Sequence, residues 1–438
     1  MNSQVSTSFT NWPGLVVSPE QLAGSFRVMP QRSLSFPDHL RAHGDLRMPK
    51  VDFASLVEML DEAGLNGRGG AGFPTAKKLA SMAPYVGRSI VVANGSESEP
   101  LAYKDESLLI HQPHLVLEGV AIVVGALGAS KAYLMAKTKN QMVVSAVEAA
   151  LRERRKLRLD KVPVAPRVAD PGYTSGVETS IIQQLNGKGP KPAYFPDRPI
   201  ATGVSKKPTF ISNVETYATI ALIARSGPSF YRSMGVQGGP YGSQLLTVVS
   251  HNGAYIVVEA EVGTPISEIV NYAQIDIRGA SSVLMGGYFG QIVQPDRIVD
   301  LKLNPPEMKR LGLGVGAGII GFSSACPLVE ASGIVAYLAS QTAGQCGPCF
   351  LGLPALAKEI GRLAHGAALS KGVEEIGRLA DQIVGRGGCA MPDGAIFITR
   401  SIMKNFADEV RLHESGRCSY AKGRPNFFGT KYERLRLN

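Results

Sequence analysis

Residues 67–75 read Gly-Arg-Gly-Gly-Ala-Gly-Phe-Pro-Thr, and this run constrains the fold more than any other segment. Glycine adds nothing to a core and loses the most conformational entropy on folding, so four glycines in six positions predict a loop whose backbone approaches a ligand. Backbone amides and cations together bind phosphate, and Arg68, Lys77 and Lys78 lie in or just after the run. The run lacks an ATPase-loop ending and fits the dinucleotide fingerprint only loosely. An ordinary glycine-rich turn is the alternative.

A second polar segment follows a predicted buried strand at residues 90–93. Residues 94–100 read Asn-Gly-Ser-Glu-Ser-Glu-Pro. Ligands of open α/β sheets bind at the carboxyl ends of strands. Asn and Ser side chains there can hydrogen-bond an isoalloxazine edge or a ribityl chain, and Glu97 and Glu99 can accept from sugar hydroxyls. Taken alone, this stretch also fits a plain polar loop between a strand and a helix.

Two further segments make the pattern specific. Residues 173–179 read Tyr-Thr-Ser-Gly-Val-Glu-Thr, and residues 207–216 read Lys-Pro-Thr-Phe-Ile-Ser-Asn-Val-Glu-Thr. Together with 67–75 and 94–100, they resemble, in the same order, four motifs of the flavin- and NADH-binding subunit of respiratory complex I. Relatives of that subunit occur in hydrogenases and formate dehydrogenases. The resemblance covers roughly residues 55–410, and the chain is identified as a divergent member of this family.

The chain length allows two to four domains. Alternating strands and helices over 51–235 indicate an α/β domain with a mostly parallel sheet. The resemblance implies that this domain is Rossmann-like and binds FMN and NADH. It also implies a β-grasp domain over 243–300 and a helical iron–sulfur domain over 320–410. Residues 1–50, rich in Pro, Ser and Arg, are expected to form an extended arm, and 411–438 a basic tail.

The resemblance also assigns the site residues. Those expected around FMN are Gly67, Arg68, Gly69, Lys78, Asn94, Ser96, Glu97, Tyr173, Gly176, Ser212, Asn213 and Thr216. Those expected to face NADH are Gly70, Ala71, Phe73, Glu99, Glu178 and Phe195. Phe73 and Phe195 are suited to sandwich the adenine. Hydride transfer to the flavin needs no acid or base, so Glu99 and Glu178 are expected only to position the nucleotide.

Several positions depart from the family motifs. Ser96 replaces an Asp, Val177 a Glu and Ser212 an Asn, and Leu79 stands where an aromatic residue is usual. These changes remove negative charge near the cofactors. A more negative ligand would then be easier to bind, and our hypothesis is that the preference has relaxed from NADH alone to include NADPH.

The five cysteines are too few for a disulfide framework and indicate a reducing compartment. Cys346 and Cys349 form a two-residue-spaced pair, which is typical of iron–sulfur centres, metal sites and redox dithiols. Relatives hold a 4Fe–4S cluster with Cys-x-x-Cys-x-x-Cys and a distant fourth cysteine. By resemblance, Cys346, Cys349 and Cys389 match three of these ligands.

Ala343 stands at the position of the first ligand. Three outcomes remain open. We favour a 4Fe–4S cluster with three thiolates and a fourth ligand that is not a cysteine or comes from outside the protein. A 3Fe–4S cluster and a site without iron are the alternatives. Cys326 is a poor replacement ligand, because about 17 residues of predicted helix, roughly 25 Å, separate it from Ala343. Cys418 lies in the basic tail and is expected to be an ordinary thiol or a partner contact.

The net charge of +10 suggests an acidic partner. The sequence contains no recognised nucleic-acid-binding motif, so we do not expect that partner to be a nucleic acid. A basic surface favours encounter with an acidic electron carrier such as a ferredoxin; solubility alone is the alternative. The most apolar run, 115–129, contains Glu118 and is too short for a membrane span.

The sequence therefore predicts an NAD(P)H dehydrogenase module with FMN and an iron–sulfur cluster. We expect a hetero-oligomer with a ferredoxin or a reductase subunit, located in the cytoplasm or at the inner face of the membrane through partners. A scaffold or regulatory protein that has lost the cluster and the flavin is the alternative function.

Overall fold

The computed structural model describes residues 33–44, 51–137, 140–193, 199–366, 372–420 and residue 428. A four-stranded sheet in the order β3-β2-β1-β4 forms the first domain, and every neighbouring pair of strands is parallel. The strands are β1 (Ile90–Gly95), β2 (Lys131–Lys137), β3 (Val164–Ala169) and β4 (Thr209–Asn213). Strand order reverses between β1 and β4, and a parallel sheet binds ligands at such a switch point. The parallel α/β domain predicted from the sequence is confirmed.

Helices cover this sheet and frame its loops. They are α2 (Phe53–Ala63), α3 (Thr75–Ala80), α4 (Lys104–His111), α5 (Pro113–Leu127), α6 (Gln141–Lys156), α7 (Glu178–Leu185), α8 (Val214–Ser226) and α9 (Pro228–Arg232). The apolar run at 115–129 is the buried helix α5. Gly119 on α5 meets α8 so closely that a Cβ atom would lie 1.8 Å from the Tyr217 carbonyl oxygen. Glycine at this position therefore sets how closely α5 and α8 pack.

The extended arm predicted over residues 1–50 is helical in part of its described segment. Residues Phe36–His43 form α1, which begins at Ser35, whose hydroxyl accepts a hydrogen bond from the Asp38 N–H. His39 on this helix is fully buried and lies 3.1 Å from Glu118 on α5. The prediction of an extended arm was therefore wrong here, because docking on α5 stabilises a helix too short to show periodicity.

A second, mixed sheet in the order β6-β5-β9-β7-β8 follows. Its strands are β5 (Ser243–Val249), β6 (Tyr255–Glu261), β7 (Ser282–Met285), β8 (Gln291–Val293) and β9 (Ile319–Ser323). Helices α10 (Ile266–Tyr272), α11 (Asp296–Val299) and α12 (Pro305–Arg310) lie between these strands in the chain. The central strand β9 falls beyond the predicted limit at residue 300. A short strand that begins directly after a glycine-rich segment resembles a linker in sequence, and the boundary was drawn too early for that reason.

The C-terminal part is a helical bundle. It contains α13 (Pro327–Ser340), a π-helical turn (Pro348–Gly352), α14 (Leu353–Ala364), α15 (Gly372–Ile383), α16 (Met391–Asn405) and α17 (Ala407–Glu414). One apolar cluster joins this bundle to the second sheet. The predicted helical domain is confirmed, and α17 extends into the segment that we had predicted to be a basic tail.

Within the described residues, no single helix is both long enough and apolar enough to cross a membrane. The consecutive pair α4 and α5 passes that test only when taken together, and the two helices meet at a bend of 94°.

Candidate functional site

The glycine run forms a closed, solvent-facing loop. The Gly67 N–H donates to the Phe73 carbonyl at 2.9 Å and closes the loop. Gly70 and Gly72 have φ values of +101° and +62°, a conformation that side chains disfavour. Gly69, Gly70, Ala71 and Gly72 are exposed, and the Phe73 side chain is 54% exposed. The loop thus offers bare backbone and one aromatic ring, which suits a phosphate and a base.

The carboxyl ends of β1 and β4 meet beside this loop. Asn94 pairs in register with Asn213, whose side-chain amide donates to the Asn94 carbonyl at 3.2 Å. The Asn94 side chain donates to the Gly176 carbonyl at 3.1 Å and accepts from the Ser96 N–H at 3.0 Å. A Cβ atom on Gly176 would lie 2.7 Å from the Ser96 carbonyl oxygen. The structure therefore brings together the motifs at 94–100, 173–179 and 207–216.

A buried hydroxyl group at this junction fits a polar ligand. Ser96 Oγ is buried and has no hydrogen-bond partner within the described part of the chain. Buried polar groups normally have a partner, so an unpartnered one needs an explanation. A bound ligand with polar groups would supply that partner. Thr75 Oγ1, at the start of α3, is also buried without a partner among the described residues. Ser212, at the end of β4, is half-buried next to the same junction.

An ion pair lies nearby. Lys78 Nζ on α3 is 3.0 Å from Glu178 Oε1 at the start of α7, and both side chains are partly exposed. The pair joins the glycine loop to the 173–179 segment. Phe195, predicted to stack on adenine, lies outside the described residues.

Three residues predicted to contact FMN form hydrogen bonds with other parts of the protein. The Arg68 guanidinium donates to the Tyr231 hydroxyl and to the Ser243 carbonyl, each at 2.7 Å, and its backbone N–H donates to Thr216 Oγ1 at 3.0 Å. The Glu97 carboxylate accepts two backbone N–H groups at the start of α4, each at 3.2 Å. The structure thus assigns an anchoring role to these side chains.

Sequence reasoning missed a buried charge cluster under the strand ends. Lys104 Nζ lies 2.7 Å from Asp105 Oδ1 and 2.8 Å from Glu215 Oε2, and all three side chains are buried. Burial alone lowers the pKa of Lys104, but the carboxylates of Asp105 and Glu215 outweigh it and raise the pKa above its ordinary value. Glu215 also accepts the Leu245 N–H from β5 at 2.9 Å. The only sequence signal was a charged triplet at the start of an otherwise apolar helix.

Glu99 bridges the first domain and the second sheet. Its carboxylate accepts from the Tyr173 hydroxyl and from the Tyr288 N–H, the latter at 3.0 and 3.2 Å. Burial, followed by the Glu99 charge, raises the pKa of Tyr173 well above its ordinary value. The side chain that we expected to position NADH is therefore itself held by two tyrosines.

The three predicted cluster cysteines lie together in the helical bundle. The Cys349 thiol, on the π-helical turn, is close to Cys346, Cys389 and the Thr342 side chain. Burial and then the neighbouring thiols raise the pKa of Cys349 to about 11, although the hydrogen bond from Thr342 lowers it. Three converging sulfur donors fit an iron–sulfur cluster held by three protein ligands. Ala343, partly buried in the adjoining loop, supplies no fourth donor.

Comparison with known proteins agrees with this arrangement. The family model for the Nuo51 FMN-binding domain matches residues 60–222, and the model for the NADH-ubiquinone oxidoreductase-F iron-sulfur binding region matches residues 330–413. The second F-type subunit of NADH-quinone oxidoreductase from Rhizobium meliloti (strain 1021) is 28% identical over 382 residues, which cover 83% of this chain and 90% of that protein. The F-type subunit from Rickettsia bellii (strain OSU 85-389) is 27% identical over 375 residues, with coverages of 81% and 89%.

A solved structure shows the same fold. The NAD+-reducing NiFe hydrogenase in its H2-reduced state matches with a TM-score of 0.76 at 23% identity, over 88% of this chain and 67% of that one. Fold and site thus define a flavoprotein-type α/β domain joined to an iron–sulfur-type helical domain. Over about four-fifths of its length the chain is similar to F-type subunits of NADH-quinone oxidoreductases, and the models of their FMN-binding and iron-sulfur-binding regions both match it.

Proposed function

We propose that this chain is the electron-entry module of an NAD(P)H dehydrogenase, in which electrons pass from the nucleotide to a cysteine-held cluster and then to a partner protein. The observation that carries the proposal is the direct contact between the two predicted cofactor sites. Tyr173, in the flavin-type motif, donates its backbone N–H to Gln341 Oε1, two residues before Ala343, at 3.1 Å.

The protein's own residues would bind and orient the reactants. Gly67 to Gly72 present backbone to a phosphate, while Asn94 and Asn213 fix the geometry of the two strand ends. The exposed Phe73 ring can stack on the nucleotide base. Positioning of this kind is the main contribution of a protein to cofactor chemistry.

FMN, when bound, supplies the change from two-electron hydride transfer to one-electron transfer, and a cluster on Cys346, Cys349 and Cys389 supplies a one-electron acceptor. With Ala343 in place of a fourth cysteine, we propose a cluster with three thiolate ligands. Val177 stands where the family has a glutamate, and Lys78 pairs with the neighbouring Glu178. The lower negative charge supports our hypothesis that NADPH is accepted as well as NADH.

The partner would be an acidic electron carrier that docks near the cysteines. Phe350 and Leu351 follow Cys349 on the π-helical turn and are 62% and 69% exposed. Exposed apolar side chains beside a redox centre suit a transient interface. The net charge of +10 would speed the encounter with an acidic protein.

Anaerobic purification followed by quantitation of flavin, iron and sulfide tests the proposal. We expect one FMN per chain, iron and sulfide in cluster stoichiometry, and reduction of a one-electron dye by NADH and by NADPH. Protein that stays colourless and binds no FMN after supplementation would overturn the proposal and support the scaffold function. Strict dependence on NADH would overturn only the relaxed nucleotide preference.

A further inference from the structure

A second group of ligand-type side chains lies in the helical bundle, separate in sequence from the cluster cysteines. Cys326, Glu409, His413 and Cys418 each place one ligand atom within 4.8 Å of the other three. The first three side chains are buried and Cys418 is partly buried. Cys326 directly precedes α13, while Glu409 and His413 lie one turn apart on α17.

The spacing of these atoms matches a tetrahedral ion. His413 Nε2 lies 3.4 Å from Cys326 Sγ and 3.1 Å from Glu409 Oε1, and the Cys326 Sγ–Glu409 Oε1 distance is 3.9 Å. Two ligands bound at zinc distances are about 3.5 Å apart at the tetrahedral angle. The four side chains can therefore bind one ion with little movement.

The orientation of His413 favours metal binding. Its Nδ1 lies 3.1 Å from the Leu363 carbonyl oxygen, which can only accept, so Nδ1 carries a proton. In the neutral ring, Nε2 then presents its lone pair to the Glu409 carboxylate. Two acceptors can face each other at 3.1 Å only with a proton or a cation between them. A backbone carbonyl that fixes the far nitrogen is the usual second partner of a metal-bound histidine.

Glu409 is held in place in a similar way. It accepts hydrogen bonds from the Ser419 N–H at 3.1 Å and from the Ser419 hydroxyl. These contacts orient the carboxylate without using up all of its lone pairs. Two thiols, an imidazole and an oriented carboxylate in a buried space are a donor set that zinc prefers.

We propose that Cys326, Glu409, His413 and Cys418 bind a structural Zn²⁺ ion. Four protein ligands close the coordination sphere, which is typical of structural rather than catalytic zinc. The ion would fasten α17 and the segment after it to the start of α13. This proposal does not depend on the flavin or on the iron–sulfur cluster. It also revises the prediction that Cys418 is an ordinary thiol or a partner contact.

Metal analysis of the purified full-length protein tests this site. We expect about one zinc per chain, and X-ray absorption at the zinc edge with two sulfur ligands at about 2.3 Å and two nitrogen or oxygen ligands at about 2.0–2.2 Å. His413→Gln and Cys418→Ser should each lower zinc at least tenfold and leave iron unchanged. The matched control Cys389→Ser should lower iron and retain zinc.

The unaltered protein provides a readout that does not depend on variant folding. Exchange of its metal for Co²⁺ should give the visible absorption of tetrahedral thiolate-bound cobalt. Less than a tenth of an equivalent of zinc after growth with added zinc, and no such cobalt spectrum, would overturn the site. So would a Cys326–Cys418 disulfide in protein kept under reducing conditions.

Discussion

The backbone N–H of Tyr173 lies 3.1 Å from Oε1 of Gln341, and this hydrogen bond joins the flavin-type motif to the loop that carries Ala343. The Tyr173 ring also packs against Tyr337 on α13, with ring centroids 6.0 Å apart. The two predicted cofactor sites thus share a direct contact, although about 170 residues separate them in the chain. Electron transfer between them would not require a domain movement.

Gln341→Ala should loosen this contact. Removal of a hydrogen-bond partner of a partly buried N–H costs about 1 kcal/mol, so we expect a small loss of stability. Stopped-flow spectroscopy should show slower electron transfer from flavin to cluster, with an unchanged rate of flavin reduction. Gln341→Glu retains an acceptor oxygen and serves as the control. Equal transfer rates in all three proteins would contradict a role for this contact.

Gly176→Ala should expel FMN. The new methyl group would lie 2.7 Å from the Ser96 carbonyl oxygen, and relief of that clash must move one strand-end loop away from the other. We expect a loss of about 1–3 kcal/mol in stability and a clear drop in bound flavin. Gly377→Ala on α15, where the added Cβ would meet no described residue beyond its own helix backbone and chain neighbours within 4 Å, should retain flavin and gain up to about 1 kcal/mol in stability.

Phe73→Ala should weaken nucleotide binding without releasing FMN. The ring is 54% exposed on the glycine loop, so its loss removes stacking area rather than core packing. We expect a KM for NADH roughly fivefold higher, since stacking contributes about 1 kcal/mol, and a bound-flavin content equal to that of the unaltered protein. Phe397, which is 47% exposed on α16, provides a control, because Phe397→Ala should leave KM unchanged.

Ala343→Cys should add a fourth thiolate to the proposed three-thiolate cluster. Ala343 is partly buried beside Thr342, whose side chain hydrogen-bonds Cys349. We expect higher iron content after exposure to air and a change in the EPR signal of the reduced protein, because a fourth thiolate protects the exposed iron. Ala343→Ser, of nearly the same size, should not have this effect. Identical spectra and iron content in the Cys variant would count against three-thiolate ligation.

Acid should destabilise the protein through His43. Burial, assisted by the neighbouring His39, lowers the pKa of His43 from 6.5 to about 4, and its Nε2 is 3.1 Å from Gln112 Oε1. The unfolded chain therefore binds more protons than the folded chain between these two values. The contribution of neutral His43 to the free energy of unfolding is complete above pH 6.5. As the pH falls toward 4, the free energy of unfolding decreases by at most about 3 kcal/mol through this group.

Denaturant titrations at several pH values check this window. His43→Gln should show a shallower fall in the free energy of unfolding between pH 6.5 and 4 than the unaltered protein. His365→Gln, at an exposed position, should show no such change. If the His43 variant keeps the full pH dependence, another group is responsible.

The sequence by itself determined the parallel α/β domain and the helical bundle. It also predicts cofactor sites at the glycine run, at the strand-end motifs and at Cys346, Cys349 and Cys389. These features are local: glycines at positive φ, apolar strands that end in polar side chains, and closely spaced thiols are visible within a few residues. The loss of a ligand at Ala343 was visible for the same reason.

Only the tertiary structure decided which polar groups are used by the scaffold. Arg68, Glu97 and Glu99 matched cofactor-binding positions, but their hydrogen-bond partners come from α4, α9 or the second sheet. Tertiary structure also decided the buried ion pair of Lys104 with Glu215 and the group formed by Cys326, Glu409, His413 and Cys418. Apart from those of Glu97 and those among Glu409, His413 and Cys418, these contacts join residues more than 80 positions apart. Such contacts exist only once packing has brought separate elements together.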